Sequence, residues 1–431
     1  MAWQTLVHVC QRWRDIIYGS PCYLDLHIHC SQETPFRKNL NRWPELPLTL
    51  DYAIASHDDD GDVVAALEHS DRVHRVILFL TCPDFEMVHK VVEAMQVPFP
   101  ALTHLDLAGP EDGDDEFFLP EKFLGGSTPC LQHLRLEDIS FPTLPKLLLS
   151  ARSLVFLELE SATPPTYFGY ISPEAMVEAL TGLTKLQTLR IKFRFPENPP
   201  GSSEQLEKRR RPDLSMLPIL FPSLNELVLR GSSWYLEDLV AQIDAPYVED
   251  INIEYLGPKV EECQLSRFIG RMPNLKFSQF RRAQLSFAFA IWYNSAKVEL
   301  DRPKGECLSA RFSLSMRPMD RAIHYLVPCM TRVLGQLGAS MVSDVGQLSV
   351  NAIGEQYVEE YRMDNTQWIP LFHLFPAVGA LHVTGDVAGH ITSALQDIAE
   401  ESVTEVLPAL QSLQLGDDEL AESRFLSLRK R

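Results

Sequence analysis

Pro100-Ala101-Leu102-Thr103-His104-Leu105-Asp106-Leu107 is followed, 29 residues on, by Pro129-Cys130-Leu131-Gln132-His133-Leu134-Arg135-Leu136. Both read Pro-x-Leu-x-x-Leu-x-Leu. The pattern recurs, with Val, Ile, Phe or Ser at some apolar positions, from Pro222 (Leu224, Leu227, Leu229) and Pro246 (Val248, Ile251, Ile253). It recurs again from Pro273 (Leu275, Ser278, Phe280), Pro376 (Val378, Leu381, Val383) and Pro408 (Leu410, Leu413, Leu415). Two copies keep the spacing without the proline: Leu154, Leu157, Leu159 and Leu186, Leu189, Ile191, making nine copies in all.

Side chains alternate along a strand, so the second and third apolar residues of each copy face a core and their neighbours face the other way. Proline suits the position ahead of the strand because it cannot continue a helix and it fixes φ where the chain turns. From Leu102 to Leu275 the copies are spaced by 29, 23, 32, 38, 24 and 27 residues. That spacing fits leucine-rich repeats, each a short strand with a returning helix or loop. The expected fold is α/β: a leucine-rich-repeat solenoid, a curved parallel sheet with outer helices and loops, preceded by a short N-terminal helix. Residues 22–97 read as irregular early repeats and 98–431 as the regular array. Between Leu275 and Val378 there is room for three degenerate repeats, placed near Lys297–Leu300, Arg311–Met316 and Gln347–Ile353.

With 431 residues, 45% apolar and 23% charged, the chain has material for a continuous core. Its formal net charge of -19 argues against nucleic acid, whose phosphates need a concentrated positive surface. A protein target is the expected partner. Eight scattered cysteines without a Cys-x-x-Cys pair read as reduced core residues, and no apolar run has the length of a membrane helix. The expected compartment is cytoplasmic or nuclear, with no membrane partner.

Near the start, Leu6, Val9, Cys10, Trp13, Ile16 and Ile17 recur at helical spacing, and Gly19 and Pro21 end the segment. Such a short helix needs something to dock on. Leu6-Val7-His8-Val9-Cys10-Gln11-Arg12-Trp13-Arg14, with Gly19-Ser20-Pro21, resembles the second half of an F-box. With the strand at Leu24-Asp25-Leu26, then Trp43-Pro44-Glu45-Leu46-Pro47 and the Pro-x-Leu copies, the whole chain is similar to fungal F-box proteins with leucine-rich repeats. The resemblance implies a partial F-box over residues 1–21 and a substrate-receptor subunit of a cullin-RING ubiquitin ligase. Leu6, Val9, Cys10, Trp13 and Ile16 would then bind the ligase adaptor, and the repeats would hold the target. Only two residues precede Trp3, whereas an F-box opens with a further helix, so a ligase-independent interaction scaffold stands as the alternative.

Residues flanking the middle apolar position of each strand are the expected target contacts: His104, Asp106, His133, Arg135, Phe156, Glu158, Arg190, Glu226, Asp250 and Phe277. Mixed charges with aromatic anchors suit a protein or peptide ligand. Cys22, His27, His29 and Cys30 lack the spacing of zinc modules, and the stretch around Asp58, Asp60 and Gly61 lacks the closing Glu of a calcium loop. No cofactor or metal is expected. Nucleophile-elbow, dinucleotide, phosphate-loop and metalloprotease motifs are missing, which points to a protein that is not an enzyme.

Overall fold

The computed structural model describes residues 5–19, 26–40, 46–54, 60–80, 85–109, 118–161, 171–193, 218–256, 268–269, 271–272, 280–289, 294–302, 310–317, 326–337, 339–354, 365–385, 387–400 and 406–416. They belong to two compact units, Met1–Leu186 and Gln187–Arg431. Both are α/β, each built on a mostly parallel sheet.

In the first unit the strands are β1 (Ile28–Cys30), β2 (Leu48–Ile54), β3 (Val73–Leu80), β4 (His104–Ala108), β5 (His133–Glu137) and β6 (Phe156–Ser161). Each pairs in parallel with the next in sequence. A parallel return needs a crossover, and most of these connections carry helices. They are α1 (Gln11–Tyr18), ahead of the first strand, then α2 (Phe36–Leu40), α3 (Asp60–Leu67), α4 (Phe85–Ala94), α5 (Leu144–Ser150) and, after the last strand, α6 (Pro173–Leu180). Val76, Leu105, Leu134 and Leu157 stand opposite one another across four strands, and Leu78, Leu107, Leu136 and Leu159 form the next row. All eight are buried. Burial of one such side chain contributes roughly 1.5–3 kcal/mol, so these rows fix the register.

The prolines have a more specific place than the end of a helix. Pro100, Pro129, Pro246, Pro376 and Pro408 each take the second position of a turn. The turn is closed by hydrogen bonds from Leu102 to Phe99, Leu131 to Thr128, Val248 to Ala245, Val378 to Phe375 and Leu410 to Leu407. Fixed φ favours proline at that position. The copies without proline close the same turn, Leu154 to Ala151 and Leu186 to Leu183. The residue before each turn's second position is buried in every case, so each copy has one more core residue than the Pro-x-Leu pattern contains.

The second unit contains β7 (Thr188–Phe193), β8 (Ile219–Leu220), β9 (Glu226–Ser232), β10 (Ile243–Asp244), β11 (Asp250–Leu256), β12 (Arg282–Phe289), β13 (Asn294–Asp301), β14 (Arg311–Arg317), β15 (Gln347–Gly354), β16 (Ala380–Gly385) and β17 (Ser412–Leu415). Its helices are α7 (Ser233–Ala241), α8 (Leu326–Leu337), α9 (Ala339–Val342), α10 (Trp368–Phe372) and α11 (Ala388–Glu400). The main sheet runs β7-β9-β11-β14-β13-β12-β15-β16-β17, with β8 and β10 paired separately. The expectation of three further parallel repeats after Leu275 is corrected here. Strands β12, β13 and β14 form an antiparallel meander, so the stretch at Lys297–Leu300 runs against its neighbours. Only residues 290–293 separate β12 from β13, and 302–310 separate β13 from β14. Both are shorter than the dozen or so residues a parallel crossover takes. Arg311–Arg317, antiparallel to β13, runs parallel to β11 on its other side, and Gln347–Gly354 runs parallel to both its neighbours. At the end of β16, Gly385 has φ 76, and a Cβ there would collide with the Ala352 carbonyl, so only glycine fits.

Candidate functional site

On the outward face of the first unit the register lines side chains up across the strands. One row runs Thr49, Arg75, His104, His133, Phe156. The next is Asp51, Ile77, Asp106, Arg135, Glu158, and the third Ala53, Phe79, Ala108, Glu137, Glu160. Six of the ten expected target contacts, His104, Asp106, His133, Arg135, Phe156 and Glu158, thereby come together on one patch.

His104, His133 and Phe156 of the first row form a stacked ladder. The rings of His104 and His133 lie 5.4 Å apart at 18°, and those of His133 and Phe156 lie 4.1 Å apart at 4°. Strand spacing of about 4.8 Å sets like-facing rings at stacking distance. Thr103 Oγ1 donates to the His74 carbonyl and lies 3.0 Å from His104 Nδ1, which steadies the first ring. Burial, with the Arg75 charge second, lowers the His104 pKa. Burial again, followed by His104 and Arg75, draws His133 down to about 4. Both imidazoles are therefore neutral at pH 7, and the ladder is a flat uncharged platform.

Beside it Arg135 holds three carboxylates. Its guanidinium donates to Glu137 Oε2 at 2.7 Å and lies 3.7 Å from Asp106 Oδ2 and 3.9 Å from Glu158 Oε2. The Glu158 contact is an ion pair without a hydrogen bond, since Arg135 Nε has no hydrogen-bond partner. Glu158 is only 5% exposed. Burial raises the pKa of Asp106 and of Glu137; Arg135 opposes it in both, while Glu160 and Asp138 add to it at Glu137. Gly109, just after β4, packs so close to the Asp138 carbonyl that a Cβ would sit 2.5 Å from it. That close approach keeps the ends of β4 and β5 together at this edge of the patch.

The strand spacing of the Pro-x-Leu copies did not reveal Arg75, Ile77, Phe79, Glu137 or Glu160. Strand β3 precedes the first copy, and a bulge at Leu48/Thr49 shifts its alternation by one residue. Glu137 and Glu160 lie one alternation beyond the flanking positions and could have been read from the period of two.

In the second unit, Arg190 bonds Glu226 Oε1 through both Nε and an outer nitrogen, at 2.9 and 2.7 Å. Glu226, Asp250 and Arg311 stand in one row. Burial raises the Asp250 pKa against the pull of Arg311. Phe277 lies outside the described residues.

At the N-terminus the expected single helical face is interrupted. Thr5 and Leu6 are helical, Cys10 is extended at φ -163 and ψ 167, and α1 starts at Gln11. The segment is tied by Arg14 Nε donating to the Val7 carbonyl at 3.1 Å. Val7 and Ile17 are buried, whereas Leu6, Val9, Trp13 and Ile16 are 38, 62, 48 and 52% exposed and Cys10 is exposed. Five of the six residues read as one apolar stripe thus face outward, while the sixth, Ile17, is buried together with Val7. Of the other cysteines among the described residues, Cys30 and Cys329 are buried and Cys130 is exposed, so the reading of the cysteines as core residues is corrected for Cys10 and Cys130.

An open cleft of about 630 Å³ between α2, α3 and α4 is lined by Arg37, Gly61, Val64, Glu68, Lys90 and Glu93 among others. Arg37 pairs with Asp62 at 3.5 Å and Lys90 with Glu86 at 3.3 Å. Among the described residues no three His, Cys, Asp or Glu side chains converge as a metal requires, and no helix is long and apolar enough to cross a membrane.

These features define an α/β protein with a stacked aromatic and charged sheet face and an outward-facing apolar N-terminal segment. No protein-family model matches the sequence, and no curated protein matches it.

Proposed function

We propose that the chain is the substrate-receptor subunit of a cullin-RING ubiquitin ligase, of the F-box and leucine-rich-repeat type, working in the cytoplasm or nucleus. In this reading the strand-and-turn units form a leucine-rich-repeat solenoid. The unbroken parallel order of β1 to β6 and the recurring turn ahead of the strands support it. The observation that carries the functional reading is the exposure of Leu6, Val9, Cys10, Trp13 and Ile16 on a segment held by Val7 and Ile17. An apolar cluster facing water is a partner surface, and the adaptor is its partner here. The target lies on the sheet face around His133 and Arg135. The receptor performs no chemistry; holding a target lysine near a ubiquitin-loaded enzyme raises its effective concentration.

A second reading, a ligase-independent interaction scaffold, is favoured by the break at Cys10, which interrupts the helix that the Val-Cys-x-x-Trp stretch forms in an F-box. Co-purification with the adaptor separates the two. The chain and a version extended by a Leu-Pro-type helix ahead of Met1 are each mixed with adaptor and resolved by size. Binding by either that is lost with Trp13→Asp supports the receptor; binding by neither leaves the scaffold.

A further inference from the structure

The cleft between α2, α3 and α4 sorts its charges unevenly. Its two cations are each held by a carboxylate outside the lining, Arg37 by Asp62 at 3.5 Å and Lys90 by Glu86 at 3.3 Å. Arg37 also donates to the Gly61 carbonyl at 3.3 Å. The two lining carboxylates, Glu68 and Glu93, are exposed and, among the described residues, make no ion pair or side-chain hydrogen bond. The rest of the lining is Gly61, Val64, Ala65, Ala94 and Val97, an aliphatic surface without an aromatic ring.

Glu68 and Glu93 also stand where a helix disfavours them. Strands β2, β3 and β4 are parallel, so α3 and α4, which return the chain from each strand to the next, run the same way. Glu68 directly follows α3 and Glu93 lies in the last turn of α4, and neither last turn holds a basic residue. The C-terminal end of a helix carries partial negative charge and favours cations. Two helix ends and two carboxylates thus meet at one cleft, with no cation of the described chain paired to either carboxylate. Its volume, about 630 Å³, is that of a small-molecule site. We propose that the cleft binds a linear aliphatic polyamine, with ammonium groups on Glu68 and Glu93 and the methylene chain on Val64, Ala65, Ala94 and Val97. Charge complementarity selects a cation. The aliphatic lining selects one with a hydrocarbon chain over a hydrated metal ion, and carboxylates on two separate helices select two ammonium groups over one. The site is built by helices, not by the sheet face that the receptor reading gives to the target.

Calorimetric titration of the full chain tests the site, with spermidine as the ligand and butylammonium and magnesium chloride as comparisons. Saturable spermidine binding is expected, weakened about three- to fivefold by Glu68→Gln or Glu93→Gln and about tenfold or more by the two together. Glu178→Gln, at an exposed carboxylate in the last turn of α6, should leave it unchanged. Ala65→Phe, which fills the cleft without changing its charge, should abolish it. Butylammonium, with one ammonium group, and magnesium, with no aliphatic chain, should each bind about tenfold more weakly. Because glutamine keeps the shape of glutamate, the Gln variants should melt no lower than the parent. Equal loss with Glu178→Gln, or retention in the double variant, would mean diffuse attraction to the net charge of -19 and overturns the site. Butylammonium or magnesium binding as tightly as spermidine, or no saturable binding, overturns it as well.

Discussion

Along β4 to β6 of the first unit the outward positions carry stacked rings and an arginine among carboxylates. Along β12, β15, β16 and β17 of the second unit the corresponding positions hold Gln284, Ser286, Ser349, Asn351, His382, Thr384 and Gln414. There Thr384 Oγ1 donates to Asn351 Oδ1 at 3.1 Å, and Arg282 Nε donates to Gln347 Oε1 at 3.1 Å. The ion pairs of the second unit gather on β9, β11, β13 and β14: Glu254 lies between Arg230 and Arg317, at 3.6 and 2.6 Å, and Lys297 pairs with Glu299 at 2.7 Å. Beneath both faces lie rows of buried apolar residues. Burial constrains one face of a strand to apolar residues of matching size, whereas the other face is free to carry recognition chemistry.

The largest expected effects test the shared part. Leu134→Ala and Leu227→Ala each remove a fully buried side chain, and each should cost about 2–5 kcal/mol. Scanning calorimetry should show each variant lowering one transition. Equal lowering of a single transition by both would mean that the two units melt together.

A smaller pair separates the two charged faces. Arg135→Met removes the cation shared by Asp106, Glu137 and the nearly buried Glu158, with an expected cost of about 1–3 kcal/mol, between the exposed and buried limits for ion pairs. Arg190→Met breaks its partly exposed pair with Glu226, whose loss should cost about 1 kcal/mol or less. Urea midpoints measured side by side would reverse the comparison if Arg190 mattered more.

The stacked ladder gives a pH signature. His133 takes up its proton near 6.5 when unfolded and only at about 4 when folded. The unfolded state therefore binds more protons between those values, and stability falls as pH drops from about 6.5 towards 4. The raised carboxylates Asp106 and Glu137 act in the opposite sense, because their folded forms protonate first. His133→Phe keeps a ring against Phe156 but removes the titration. Its melting temperature should decline less than that of the parent over this interval, and parallel declines would show that His133 is not the titrating group.

Least affected in stability should be Trp13→Ala. Half of this side chain already faces water, so the expected cost is about 1 kcal/mol or less. Adaptor capture should nevertheless be lost. A large drop in melting temperature would mean that Trp13 packs within the chain.

The copies around Leu105 and Leu134 made the first sheet legible because period-two burial repeats in the sequence at nearly constant spacing. The residues flanking them supplied His104, His133 and Arg135, since facing away from the core follows from alternation alone. Phe79 was hidden by a one-residue bulge upstream, which changes the face of every later residue on β3 without altering composition. The meander of β12 to β14 was written in its four-residue connection, which forbids a parallel return, although the apolar pattern is the same for either strand direction.

By itself, then, the sequence determined the strand units, their buried face and the turn that precedes them, because these depend on local spacing and on the fixed φ of proline. Only the tertiary structure decided which outward residues meet across strands, that the ladder is neutral at pH 7, and that Trp13 faces water. Those properties depend on register, on burial and on charges distant in the chain, none of which local spacing contains.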